Sequence, residues 1–141
     1  MFTRGDGTTV VCAVTTVFDD RSDSLAAWSA MADDEAAESF AASVADAVVD
    51  PSAGELLGPT MLPSHFVVER SGTRTATHHA RYAQVIDEQL MPLQLDVAAI
   101  CAGTLLEVIW YAGRGSEDRG VWRHLVHRAE FRCSLALGSG G

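Results

Sequence analysis

Hydrophobic positions in this chain fall into short β-branched runs and longer stretches spaced three or four residues apart. In VVCAVTTVF (10–18), Val10, Cys12, Val14 and Phe18 share one parity and Val11, Ala13 and Val17 the other. That pattern predicts a strand covered on both faces. Asp19 to Asp23 makes an acidic, turn-prone start for a helix over roughly 23–49, where carboxylates favour the positive helix end. Along it Leu25, Trp28, Ala32, Ala36, Phe40, Val44 and Val48 form one apolar stripe, with Asp33, Asp34, Glu35, Glu38 and Asp46 largely off it. MADDE also reads as a fresh cap, which leaves a break near Asp33 open, and Asp50-Pro51 stops the helix.

GELLGPTMLPSHFVVER predicts two short strands, 55–61 and 65–70, with Pro63 and Ser64 in the corner; one long irregular strand is the alternative. A loop at Ser71-Gly72-Thr73 leads to a second helix over roughly 76–102, capped by Thr75 or Thr77. Its stripe is His79, Tyr82, Ile86, Leu90, Leu93, Val97 and Ile100, with a kink or break expected at Pro92 and a C-cap at Gly103. In TLLEVIWYA (104–112), Leu106, Val108 and Trp110 share one face, and Glu107 sits opposite with Leu105, Ile109 and Tyr111. GRGSEDRG is a turn, and VWRHLVHRAEFRCSLAL alternates as a long final strand.

The order β-α-β-β-α-β predicts an α+β fold, a ferredoxin-like βαββαβ sandwich with both helices on one sheet face and an extra C-terminal strand. It would form one domain over 1–136, with a flexible Gly/Ser tail at 137–141. The other sheet face is too apolar in the first strand and in TLLEVIWYA to stay in water, so a homodimer is expected.

Composition narrows the function classes. The formal charge of −9 and a pI near 4.8 repel phosphate backbones and anionic lipid, so neither nucleic acid nor membrane is expected as a partner. No apolar run approaches the roughly 20 residues that span a bilayer, and MFTRGDG lacks the apolar centre of a secretory signal. The expected location is cytoplasmic. Positive charge is concentrated: Arg114, Arg119, Arg123, Arg128 and Arg132, half of the ten arginines, lie in 114–132 with His124 and His127. That segment either seats an anion or pairs with acidic residues 33–46, and pairing is the favoured reading. The chain contains no lysine and no asparagine, as a GC-rich bacterial genome would give, so lysine Schiff bases and asparagine oxyanion donors are ruled out. Cys12, Cys101 and Cys133, widely spaced without CxxC, read as small hydrophobes in a reducing compartment.

AWSAMADDEAAESFAA, after a strand ending in FDD, resembles the second half of NIPSNAP and antibiotic-biosynthesis-monooxygenase-like domains. HHARYAQVIDEQLMPL followed by LLEVIWYAG is similar to the first half, so the halves stand in swapped order over about two thirds of the chain. The resemblance implies a dimeric α/β barrel with a ligand cavity between sheet and helices. In that family, cofactor-free oxidation uses Asn, Trp, Tyr and His side chains. This chain has no asparagine, and Phe18 stands where haem-degrading relatives carry a tryptophan; both departures argue against those two activities.

Candidate chemistry follows from the predicted faces. Strand parity puts His127 with Leu125, Ala129 and Phe131, either as a neutral base in an apolar pocket or as a core histidine bonded to backbone. His79 and Tyr82, one turn apart on the inward stripe, either orient a polar ligand atom or leave Tyr82 as a core aromatic with its hydroxyl at the rim. Trp28 and Trp110 flank the expected cavity, as a stacking platform or as plain packing. Glu107, charged within an apolar strand, needs a partner, for which Arg123 or Arg128 is the candidate. His124 and His127 diverge on a strand, and the sequence carries no metal motif or phosphate loop, so no metal and no cofactor are expected. The expected function is a small cofactor-independent enzyme, of cyclase, isomerase or oxygenase type, on an aromatic or polyketide-like molecule. Its catalytic candidates are His127, His79 and Tyr82, and its substrate-binding candidates are Trp28, Trp110, Glu107 and Arg123. A non-catalytic dimeric ligand-binding or assembly module of the same fold is the alternative.

Overall fold

The computed structural model describes residues 2–3, 9–68, 72–113 and 119–139. Short β1 (Phe2–Thr3) precedes β2 (Thr9–Val17), and two helices follow, α1 (Arg21–Ala32) and α2 (Asp34–Val48). Strands β3 (Leu56–Met61), β4 (His65–Val68), β5 (Arg74–Ile86), β6 (Gln89–Ala102) and β7 (Leu105–Gly113) come next, and α3 (Arg119–Ser139) closes the chain. All pairings are antiparallel, in the order β1-β2-β7-β6-β5-β3, with β4 also on β5. The α+β class therefore holds, whereas the βαββαβ order does not.

The break at Asp33 is real, and capping explains it. The Asp20 carboxylate accepts the Asp23 amide at 2.9 Å and starts α1. Asp33, in an extended conformation, accepts the Ala36 amide at 3.1 Å and starts α2. Asp50 then caps a 3-10 turn at Pro51–Ala53. Strands β3 and β4 fall where the two short strands are expected; Glu69 and Arg70, at the end of the second, lie outside the described residues.

The second helix is the main correction. Residues 74–102 form a long hairpin, turning at Asp87 and Glu88, both with positive φ (49° and 65°). Alanine and the three- and four-residue spacing of His79, Tyr82, Ile86 and Leu90 favour helix locally, but pairing along thirteen registered positions prevails. The turn lacks the Asn-Gly or Asp-Gly that usually marks such a hairpin. Pro92 is accommodated because β7 joins β6 only from Gln94 onward, so among the described residues the strand has a neighbour on one side alone at Pro92. Gly103, at φ 59°, belongs to the β6–β7 turn and caps no helix.

The expected final strand is helix α3. Its inward residues are Trp122, Val126, Ala129 and Cys133, spaced four, three and four, a helical stripe that the apparent alternation around them hides. The helix runs to Ser139, so Leu137, Gly138 and Ser139 of the expected tail are helical.

The layering follows from alternation in β6. Ala98, Ile100 and Ala102 pack with Trp122, Ala129 and Cys133, while the intervening Ala99 and Cys101 pack with Trp28. Helices α1 and α2 therefore cover one sheet face and α3 the other. The face expected to await a partner copy is occupied by α3. Among the described residues, strand β2 has β7 on one side and only β1 at its start on the other, and Ala13 to Val17 are exposed instead of covered on both faces. In β7 the predicted parity holds: Leu106 faces Trp28, and Glu107, Ile109 and Tyr111 face α3.

Candidate functional site

A cavity of about 480 Å³ lies between α3 and the β4–β5–β6 part of the sheet. Its floor is Thr77 and His79 from β5 with Gln94 and Asp96 from β6. Leu62, Pro63 and His65 bound one side, and α3 contributes Trp122, Arg123, Val126, His127 and Glu130. A few converging polar groups among apolar walls, in a volume of this order, suit a small organic ligand.

Sheet register fixes how the cavity is laid out. His79, Asp96 and Tyr111 lie side by side across β5, β6 and β7, and the Tyr111 ring stands 6.4 Å from that of Trp122. Thr75, Ile100 and Glu107 form a second row, four residues away along β5. There Thr75 Oγ1 donates to Glu130 at 2.7 Å, and Arg132 binds Glu107 at 2.5 Å. The start of α3 thus lies over the His79 row and its middle over the Glu107 row. Arg123, next to Trp122, belongs to the His79 end.

The central pair is His79 and Asp96, with Nδ1 and Oδ1 2.5 Å apart. Asp96 is 1% exposed, and Gln94 Nε2 donates to its two carboxylate oxygens at 3.1 and 3.3 Å. The carboxylate is thus held from two sides. His79, 23% exposed at its side chain, borders the cavity with its Nδ1 turned to that carboxylate. A buried carboxylate, an imidazole and a cavity in this order form an arrangement that general acid–base chemistry can use.

The other expected site residues are dispersed by the layering. Arg123 lines the cavity. His127 does too, but its side chain is 84% exposed, with Nδ1 3.9 Å from Glu130. Helical geometry turns it outward, against the apolar setting that strand parity predicts, and sets His124 and His127 three positions apart on one helix.

Tyr82 faces the opposite layer with Ala41, Val44 and Leu93, where its buried hydroxyl has no hydrogen-bond partner among the described residues and burial raises its pKa. Trp28 is buried there, its Nε1 donating to the Ala99 carbonyl at 2.9 Å, and Trp110 packs against the α2 cluster. Neither tryptophan borders the cavity. Glu107 does find an arginine, but it is Arg132, and the pair lies beside the cavity lining.

Sequence reasoning missed Asp96, Gln94, Trp122 and Glu130. Asp96, the one charged residue of LQLDVAAICA, was the available signal: a carboxylate in a run that must be buried requires a partner.

Among the described residues no group of three or more His, Cys, Asp or Glu is placed to hold a metal ion, and no helix is long and apolar enough to cross a membrane. Neither a protein-family model nor a curated protein matches the chain.

Proposed function

We propose that this cavity binds a small aromatic or polyketide-like molecule and moves a proton on it, as a cofactor-independent isomerase or cyclase does. The observation that carries the reading is the His79–Asp96 pair on the cavity floor, its carboxylate buried and fixed by Gln94. His79 Nε2 takes a proton from a carbon next to a carbonyl and returns it to another atom of the same molecule. Asp96 holds the imidazole in position and stabilises its charged form. Trp122, Val126, Leu62 and Pro63 supply apolar surface for a planar skeleton.

Exchange of the α-protons of 2-tetralone in deuterium oxide, followed by proton NMR, tests this. The protein should accelerate exchange, and His79→Gln should remove about 10²–10⁴-fold of the acceleration, the usual span for one acid–base group. Asp96→Asn should lower it as well. Equal rates for the native protein and His79→Gln would rule out the acid–base role. Saturable binding without exchange favours the second reading, a ligand-binding module, which the same cavity supports.

A further inference from the structure

We infer that the ligand of this cavity is an anion, and that Arg123 determines this by taking its carboxylate. The inference rests on the cavity being the ligand site proposed above, but it does not require that site to be catalytic.

The argument is one of charge pairing within the cavity. Its acidic lining groups are Asp96 and Glu130. Asp96 is engaged by His79 and Gln94. Glu130 accepts from Thr75 at 2.7 Å and has the His127 imidazole 3.9 Å away. Both acids are thus supplied with donors by the protein itself. Arg123 is the arginine of the lining, and among the described residues it makes no ion pair and no side-chain hydrogen bond. In a chain with 19 acidic residues against ten arginines, partners for a guanidinium are abundant, yet this one lies at a cavity mouth whose acids are already engaged. Bringing in an anion completes the pairing; bringing in a neutral molecule leaves it incomplete.

Position narrows the ligand further. Arg123 follows Trp122, whose ring stands over the His79–Asp96–Tyr111 row. A carboxylate on Arg123 therefore places the attached skeleton against Trp122, with His79 within reach of the same molecule. The planar guanidinium fork matches a carboxylate in two parallel hydrogen bonds, which a point charge does not reproduce. The substrate class is then a planar, largely apolar acid of one or two rings, a size that the cavity of about 480 Å³ accepts.

Calorimetric titration with 2-naphthoate and its neutral analogue 2-naphthalenemethanol tests the inference on the native protein, Arg123→Gln and His79→Gln. The native protein should prefer the carboxylate by at least about tenfold, the yield of one charge-assisted contact. Arg123→Gln should abolish the preference while leaving affinity for the alcohol unchanged, which also reports that the cavity is intact. His79→Gln should retain the preference. Equal affinities in the native protein, a preference that survives Arg123→Gln, or no binding of either probe at millimolar concentration would each overturn the inference. If the preference follows Arg123 but 2-tetralone exchange fails, the acid–base reading falls and the anion site stands.

Discussion

Glu107, the third residue of β7, and Arg132, just past the middle of α3, are joined at 2.5 Å beneath the last helix, with the Cys133 thiol 3.7 Å from the other carboxylate oxygen. Glu107 is almost wholly buried, while the Arg132 side chain is 53% exposed. The pair therefore pins α3 to the sheet with a carboxylate that has little other solvation. Removing the arginine leaves that charge uncompensated, which is far costlier than removing both partners. Arg132→Met should destabilise the protein by about 1–3 kcal/mol, reduced from the fully buried case by solvent at the arginine, and Glu107→Gln/Arg132→Met should recover part of the loss. Urea unfolding of the three proteins measures this, and equal stability of the single and double variants would disprove the coupling.

His78 is the immediate chain neighbour of the site histidine but belongs to the opposite layer. Its Nδ1 lies 2.7 Å from Ser64 Oγ, its ring meets Phe66 edge-on, and burial lowers its pKa below the ordinary 6.5 against the opposing pull of Asp34. Above pH 6.5 the folded and unfolded forms are both neutral, and this residue's contribution is at its plateau. As pH falls through 6.5 the unfolded chain takes up a proton that the folded site resists, so stability declines until the folded pKa is reached. Unfolding free energies measured between pH 7.5 and 5 should show this loss, and His78→Gln should flatten that part of the curve. An unchanged slope in the variant would assign the loss to other groups.

Burial and the neighbouring Glu107 push the Cys133 thiol up to about 12, whereas Cys12 on the edge strand is only partly buried. The thiolate is the reactive form. At pH 8 iodoacetamide should modify Cys12 well before Cys133, whose labelling should follow unfolding. Between pH 9 and 12 the unfolded thiol ionises while the folded one does not, so stability should fall as pH rises, and Cys133→Ala should lessen that fall. Peptide mapping by mass spectrometry after timed labelling decides the order.

Gly54 approaches β5 so closely that a Cβ there would overlap the Val85 carbonyl, and its own carbonyl accepts from the buried Gln84 amide at 3.1 Å. The second Gln84 bond, to the Asp50 carbonyl at 2.9 Å, ties the end of α2 to the same strand. Gly54→Ala should therefore cost about 1–3 kcal/mol through displaced backbone. A melting temperature within about a degree of the native protein's would show that the loop yields freely.

Much of the first half of the fold was legible because its signals are local. The acidic helix start at 19–23, the break left open near Asp33 and the stop at Asp50-Pro51 are written in adjacent residues and appear in the fold, as does, in the second half, the parity of Leu106 against Glu107. The hairpin of β5 and β6 was not legible, because Ala76, Ala80, Ala98 and Ala99 are small for packing under helices and yet score as helix formers. Misassigning it concealed the site, since His79 and Asp96, seventeen residues apart, meet only when the two segments pair as strands. His127 shows the converse error: alternation in 121–137 turned it inward, and the Trp122–Val126–Ala129–Cys133 stripe turns it out.

Strand β6 has a hydrogen-bonded neighbour on each side from Gln94 to Ala102 and a helical layer over each face. Its amides in that stretch are freed only when both layers come away, so hydrogen exchange there should report global opening. Gln94 and Asp96 thus stand on the least yielding part of the molecule. Trp122 and Arg123 stand instead on a helix that packs on the sheet through side chains such as Ala129 and Cys133, so the two walls of the cavity are anchored in different ways.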